Sequence, residues 1–269
     1  MKNIISATKD MITIDKDQRL TEAMGIMDKE DISHLLVREG EDIVGIITKR
    51  DIVNKLANAR DLGTERKMRA TQFHVSSAMT RDLKTIASGA DIVDAAGMMI
   101  EHGISSLPVV EEGRIRSIVT KTDLIAVLKD SKKQISEFYN KDPLTISKDK
   151  TVVHARKVML EHGFRRLVVT DEDNNIEGII TEKDIGDGLR QFRRALDKFL
   201  HADVRAVRIE DVMKRNPKTI TKDEMVSKAV DLMLENKISG LPVVDNELKV
   251  MGIITKTDLA RAIAEGALP

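Results

Sequence analysis

Four copies of one pattern run through the chain, and this internal repeat constrains the fold more than any other feature. Each copy has a Thr beside an Ile, an amphipathic helix, a short apolar strand, a polar turn, a second strand, and Thr-x-x-Asp opening another helix. From Thr13 to Val37, Thr85 to Val109, Thr145 to Val169 and Thr219 to Val243 the interval is 24 residues each time. From those valines to Thr48, Thr120, Thr181 and Thr255 it is 11, 11, 12 and 12 residues. The one extra residue falls in the polar turn, where insertions cost little. The copies are predicted over residues 1–60, 75–130, 131–190 and 207–269.

The first helix of each copy carries a stripe at helical spacing. Leu20, Ala23, Met24 and Met27 match Ile92, Ala95, Ala96 and Met99, then Val152, Ala155, Arg156 and Met159, then Val226, Ala229, Val230 and Met233. Core packing is the expected role of the methionines, and Arg156 is expected to snorkel at the surface or touch phosphate. The strands read Leu35–Val37 with Ile43–Ile47, Leu107–Val110 with Ile115–Val119, Leu167–Val169 with Ile176–Ile180, and Leu241–Val244 with Leu248–Ile254. Turns containing Gly, Asp or Asn join each pair, which predicts β-hairpins. The closing helices hold apolar residues four apart: Ile52 and Leu56, Leu124 and Leu128, Ile185 and Leu189, Leu259 and Ile263. The class is therefore α/β, of the α+β kind. A copy of about 55 residues exposes too much surface to stand alone, so copies should pair.

Composition narrows the function. Hydrophobic residues make up 41%, enough for a packed core, but aromatics are 2%, with no Trp. Stacking platforms for single-stranded nucleic acid are nearly absent. Lys plus Arg and Asp plus Glu balance at 44 each, which argues against a bulk electrostatic footprint for nucleic acid. The linkers 58–75 and 190–207 are basic, however. Gln191–Leu200 has helical spacing at Phe192, Leu196 and Phe199, with Arg190, Arg193, Arg194 and Lys198 alongside. A nucleic-acid-binding protein working through these linkers thus stays open, although a solvated helix face is the plainer expectation. With no cysteine, thiolate chemistry and disulfides are excluded. No apolar run is long enough for a signal peptide or membrane span, so a cytoplasmic location is expected.

Thr-x-x-Asp recurs as Thr48 and Asp51, Thr120 and Asp123, Thr181 and Asp184, and Thr255 and Asp258. An ionised Asp can accept hydrogen bonds from both hydroxyls of a ribose. The Thr hydroxyl and the unpaired N–H groups of a helix start suit a phosphate. Lys49, Arg50, Lys121, Lys183 and Lys256 lie beside the turn and could neutralise it. A purine would lie against backbone and small side chains around Thr85, Ile86, Ser105 and Ser106, or Thr219, Ile220, Ser239 and Gly240. Gly45, Gly178 and Gly252 stand where strand and ligand could approach closely; Ser117 departs from that pattern. The same Thr-x-x-Asp is also a capping box with Asp for Glu, and capping alone would explain all four copies. A scaffold without ligand therefore stays open too. No phosphate-binding glycine loop, nucleophile elbow or metal-hydrolase cluster is present, so no enzyme is expected.

Gly-Ile-Ile-Thr-Lys-Arg-Asp (45–51), Ser-Ile-Val-Thr-Lys-Thr-Asp (117–123), Gly-Ile-Ile-Thr-Glu-Lys-Asp (178–184) and Gly-Ile-Ile-Thr-Lys-Thr-Asp (252–258) resemble the closing motif of the CBS domain. Ile-Ser-Ser-Leu-Pro-Val-Val (104–110) and Ile-Ser-Gly-Leu-Pro-Val-Val (238–244) resemble its middle strand, and residues 211–219 its opening. The resemblance implies β-α-β-β-α repeats, paired into two Bateman modules that form a disc with pseudo-twofold symmetry. This is similar to the regulatory gamma subunit of AMP-activated protein kinase. It also implies adenosine ligands (AMP, ADP, ATP or S-adenosylmethionine) and a regulatory output. The four repeats use up the chain, so that output is expected to reach a separate protein partner; a homodimer remains open.

Copies two and four match the family best, through Thr120, Lys121, Thr122 and Asp123 with Ser105, Ser106 and Pro108, and Thr255, Lys256, Thr257 and Asp258 with Ser239, Gly240 and Pro242. Copy one has Ser33 and His34 at the small pair. Copy three has Arg165 and Arg166 there, which would crowd an adenine or reach across to phosphates in a neighbouring copy's site. Thr13 and Thr145 lead these two copies. His102 and His162, each in Glu-His-Gly, are expected at the surface or on phosphate.

Overall fold

The computed structural model describes residues 4, 9–61, 73–188 and 206–267. Two compact units emerge, one of residues 1–124 with 263–265 and one of residues 125–262 with 266–269. Copy one comprises β1 (Lys9–Asp10), β2 (Thr13–Asp15), α1 (Leu20–Lys29), β3 (His34–Glu39), β4 (Asp42–Thr48) and α2 (Lys49–Asp61). Copy two follows with β5 (Ile86–Ala87), α3 (Ile92–Glu101), β6 (Ser106–Glu111), β7 (Arg114–Thr120) and α4 (Lys121–Ile125). Copy three has β8 (Thr145–Ile146), α5 (Val152–His162), β9 (Arg166–Thr170), β10 (Ile176–Thr181) and α6, which starts at 182. Copy four has β11 (Lys214–Arg215), β12 (Ile220–Thr221), α7 (Val226–Glu235), β13 (Gly240–Val244), β14 (Val250–Thr255) and α8 (Lys256–Ala264).

The helix stripe packs as its spacing demands. All four alanines are 0% exposed, and Met27, Met99, Met159 and Met233 are buried with them. Arg156 is exposed, so the third copy's stripe is narrower. Helix starts are fixed locally: Asp91 accepts from Val93 N at 2.9 Å, and Thr151 from His154 N at 3.2 Å. Gly97 sits inside α3 with nothing within 4 Å of an added Cβ. Gly97→Ala is therefore expected to stabilise the protein by about 1 kcal/mol through helix propensity, read as a rise in urea midpoint.

Two boundaries differ from the sequence reading. The apolar pair Leu124 and Leu128 does not lie on one α-helix: α4 ends at Ile125, and Ala126–Leu128 tighten into a 3-10 turn. In copy four the second strand starts at Val250, because Leu248 adopts φ 65° in the turn and is 55% exposed.

In each copy the short leading strand pairs parallel with the first hairpin strand, as Ile14 with Val37 and Ile220 with Val243. The hairpins are antiparallel and set Thr48, Thr120, Thr181 and Thr255 opposite His34, Ser106, Arg166 and Gly240. Within each unit the two copies exchange their opening segments. β1 of copy one pairs with β7 of copy two, and Thr80 of copy two bridges to Ile46 of copy one. In the second unit β11 of copy four pairs with β10 of copy three, and Asn140 of copy three bridges to Ile253 of copy four. The exchange carries core residues with it. Val75 joins the core of copy one, and Val207, Ile209 and Met213 join that of copy three. A single copy thus lacks part of its own core and a sheet edge, which is the physical reason the copies pair.

Candidate functional site

The strand-to-helix corners are built alike four times. Each Thr N–H and hydroxyl donate to Oδ2 of the Asp three residues on. The hydroxyl distances are 2.7 Å for Thr48–Asp51 and 2.6 Å for Thr120–Asp123, Thr181–Asp184 and Thr255–Asp258. Asp51, Asp184 and Asp258 return a backbone N–H to the Thr hydroxyl. The full reciprocal box is thus formed in copies one, three and four, and its Thr-to-Asp half in copy two. Both bonds end on Oδ2, so the cap itself makes no use of Oδ1. Asp123 and Asp184 are each 8% exposed, while Asp51 and Asp258 are half-buried. The residue after each Thr donates its N–H to the carbonyl of Ser33, Ser105, Arg165 or Ser239, tying the corner to the small pair.

Across the copies of a unit, the small pairs meet. His34 Nε2 lies 3.0 Å from Ser105 Oγ in the first unit. In the second, Arg166 donates from Nη2 to Ser239 Oγ at 2.7 Å. Gly240 makes room for that guanidinium, since a Cβ there would stand 2.3 Å from Arg166 Nη1. Burial, and after it Arg165, push Arg166 down to about 10, against the pull of Asp258 and then Asp184. It remains a cation at neutral pH, held between the corners of both copies. Arg166 thus reaches a serine of the neighbouring copy. Lys214 Nζ lies 3.7 Å from Asp184 Oδ1, and Arg261 Nη1 3.6 Å from Asp258 Oδ1. Neither cation stood out in the sequence; Asp-x-x-Arg on one helix face signals the second, but only the strand exchange brings the first.

Other expected site residues are placed differently. Ile86 and Ile220 are 6% and 1% exposed, so their side chains belong to the core and only their backbone remains for a ligand. Thr85 and Thr219 directly precede them, and Thr13 and Thr145 begin β2 and β8. Pro108 and Pro242 are buried opposite Ile118 and Ile253. Lys121 is 9% exposed, whereas Lys49 is drawn to Asp28 at 2.7 Å. His102 and His162 are exposed at the ends of α3 and α5. Most of the basic linker residues, with the helix expected at Gln191–Leu200, lie outside the described residues.

The glycine expectation is corrected. A Cβ on Gly45 would stand 2.8 Å from Thr80 O, one on Gly178 2.9 Å from Lys214 O, and one on Gly252 2.3 Å from Asn140 O. What approaches these glycines is the backbone of the exchanged opening segment, not a ligand. At the position that departs, Ser117 pairs with Asp10 in β1.

The family model for the CBS domain matches residues 2–58, 75–130, 135–189 and 209–265. The chain belongs to the CBS-domain family. Each matched stretch holds one Thr-x-x-Asp corner. Protein MJ1225 of Methanocaldococcus jannaschii, itself uncharacterised, is 28% identical over 97% of this chain and 98% of its own. Its crystal structure, described as that of a candidate archaeal homologue of g-AMPK, superposes with a TM-score of 0.84 at 26% identity, over 98% of this chain and 100% of that one. An uncharacterised Pyrococcus horikoshii protein shares the fold at 18% identity, with a TM-score of 0.69 over 97% of this chain and 100% of that one. The CBS pair of MJ0100, solved with 5′-methylthioadenosine and S-adenosyl-L-methionine, is 30% identical and covers 50% of this chain and 98% of its own, with a TM-score of 0.44. A second M. jannaschii relative, MJ1404, is 25% identical over 96% of this chain, which spans 61% of it. Among the described residues no helix is long and apolar enough to cross a membrane, and no cluster of His, Asp and Glu is arranged to hold a metal.

Proposed function

We propose that this CBS protein is a cytoplasmic, non-catalytic sensor of adenosine nucleotides, binding AMP, ADP, ATP or S-adenosylmethionine at its strand-to-helix corners and signalling to a separate protein partner. The observation that carries the reading is the division of labour in the corner carboxylate. Capping takes Oδ2, so a ribose hydroxyl that bonds Oδ1 leaves the helix start intact. Arg166 and the helix N–H groups supply the phosphate end. A ligand that bridges two copies of a unit binds only one arrangement of them well, and this differential affinity is what a partner can read.

Caps in all four copies favour one rival, a scaffold with no ligand. Calorimetry with AMP, ATP and S-adenosylmethionine separates the two. The sensor is expected to bind at least one of them and to melt at a higher temperature in its presence. If none of the three gives heat or shifts the melting temperature at saturating concentration, the corners are caps and nothing more.

A further inference from the structure

The two units are built around different side chains at one equivalent position. His34 and Arg166 each open the first hairpin strand of the odd copy, each opposite the corner threonine. Both reach the serine of the even copy's small pair, Ser105 or Ser239. Around them the slots differ as well. Gly240 leaves space that the guanidinium fills, with Nη1 2.3 Å from where a Cβ would stand. The corresponding residue in the first unit is Ser106, only 7% exposed, whose hydroxymethyl group takes part of that space.

Resting on the adenosine reading, we infer that the second unit is tuned to a nucleoside di- or triphosphate through Arg166, and the first, with His34 in that place, to an adenosine ligand carrying one phosphate or none. The guanidinium has five N–H donors in a planar fork that matches two phosphate oxygens at once, and one bond to a neutral serine hydroxyl engages only part of it. It cannot lose its proton near neutrality, even pushed down to about 10. Lys214 and Arg261, beside the two corner carboxylates, add positive charge to the same unit. In the first unit the imidazole presents its ring nitrogens on separate edges, not as a fork that two phosphate oxygens can share.

Hydrogen-exchange mass spectrometry resolves the units, because peptides over residues 117–125 and 252–260 contain one corner each. Titrating ATP, AMP and adenosine into the full chain, we expect ATP to protect 252–260 at lower concentration than 117–125. In Arg166→Gln the preference for ATP over adenosine at 252–260 is expected to fall about tenfold or more, as loss of a charge-assisted pair requires, and Arg166→Lys is expected to restore part of it. In the double variant His34→Arg with Ser106→Gly, ATP binding at 117–125 is expected to tighten about fivefold or more, a gain that misfolding cannot produce. Equal weakening of ATP and adenosine by Arg166→Gln, or ATP binding untouched by it, would overturn the charge assignment while the sensor reading stands. Absence of protection by all three compounds in the wild-type chain would remove both.

Discussion

Gly252→Ala is expected to destabilise the second unit by about 3 kcal/mol, at the upper end for overpacking. The added methyl would meet Asn140 O at 2.3 Å and Cδ2 of Tyr139 at 2.4 Å. Retreat is costly, because the segment is pinned from both sides. Asn140 N donates to Ile253 O and Ile253 N to Asn140 O, each at 2.9 Å. Moving the segment away breaks both bonds, whereas moving β14 disturbs the ladder with β13. The chain has one Tyr and no Trp, so near-ultraviolet absorbance and emission report Tyr139 itself. Urea titration followed by that signal gives the measurement. Gly25→Ala, with nothing within 4 Å of its Cβ, is the control. An unchanged midpoint in Gly252→Ala would mean that the opening segment does not press on β14, and the strand exchange would lose its clearest signature.

The corner aspartates offer the other large effect, and two substitutions divide it. Asp258→Ala removes both cap bonds from Thr255, at 2.6 and 2.9 Å, and is expected to cost about 1–2 kcal/mol of stability as a lost cap. Its adenylate affinity is expected to fall as well. Asp258→Asn keeps a carbonyl oxygen that can accept from Thr255 N and Oγ1, so the helix start survives at small cost. The charge is gone, however, and so is the second acceptor oxygen. Charge-assisted bonds contribute about 1.5–3 kcal/mol each, so Asp258→Asn is expected to weaken adenylate binding at that corner about tenfold or more. Calorimetry beside a thermal melt checks the pair. Should Asp258→Asn bind as the wild type does, the carboxylate serves the helix alone.

Much of this was legible in the sequence because its physics is local. The Ala and Met of each first helix fall at i+3 and i+7 from its leading apolar residue, and that spacing alone puts them inside. Thr and Asp three residues apart form their box within one helical turn, whatever the rest of the chain does. Leu248 was misread as strand because an apolar residue in a turn leaves no local trace when φ is positive. The glycines were misread for a different reason. Close approach was inferred correctly, but an isolated Gly does not say whether ligand or backbone does the approaching.

By itself the sequence determined the repeat, the elements, the core faces and the caps, since each is a relation among residues a few positions apart. Only the tertiary structure decided which opening segment completes which sheet, and that Arg166 reaches Ser239 as His34 reaches Ser105. Those partners stand 73 and 71 residues apart. No periodicity encodes such contacts; they exist because neither copy of a unit can close its core without the other.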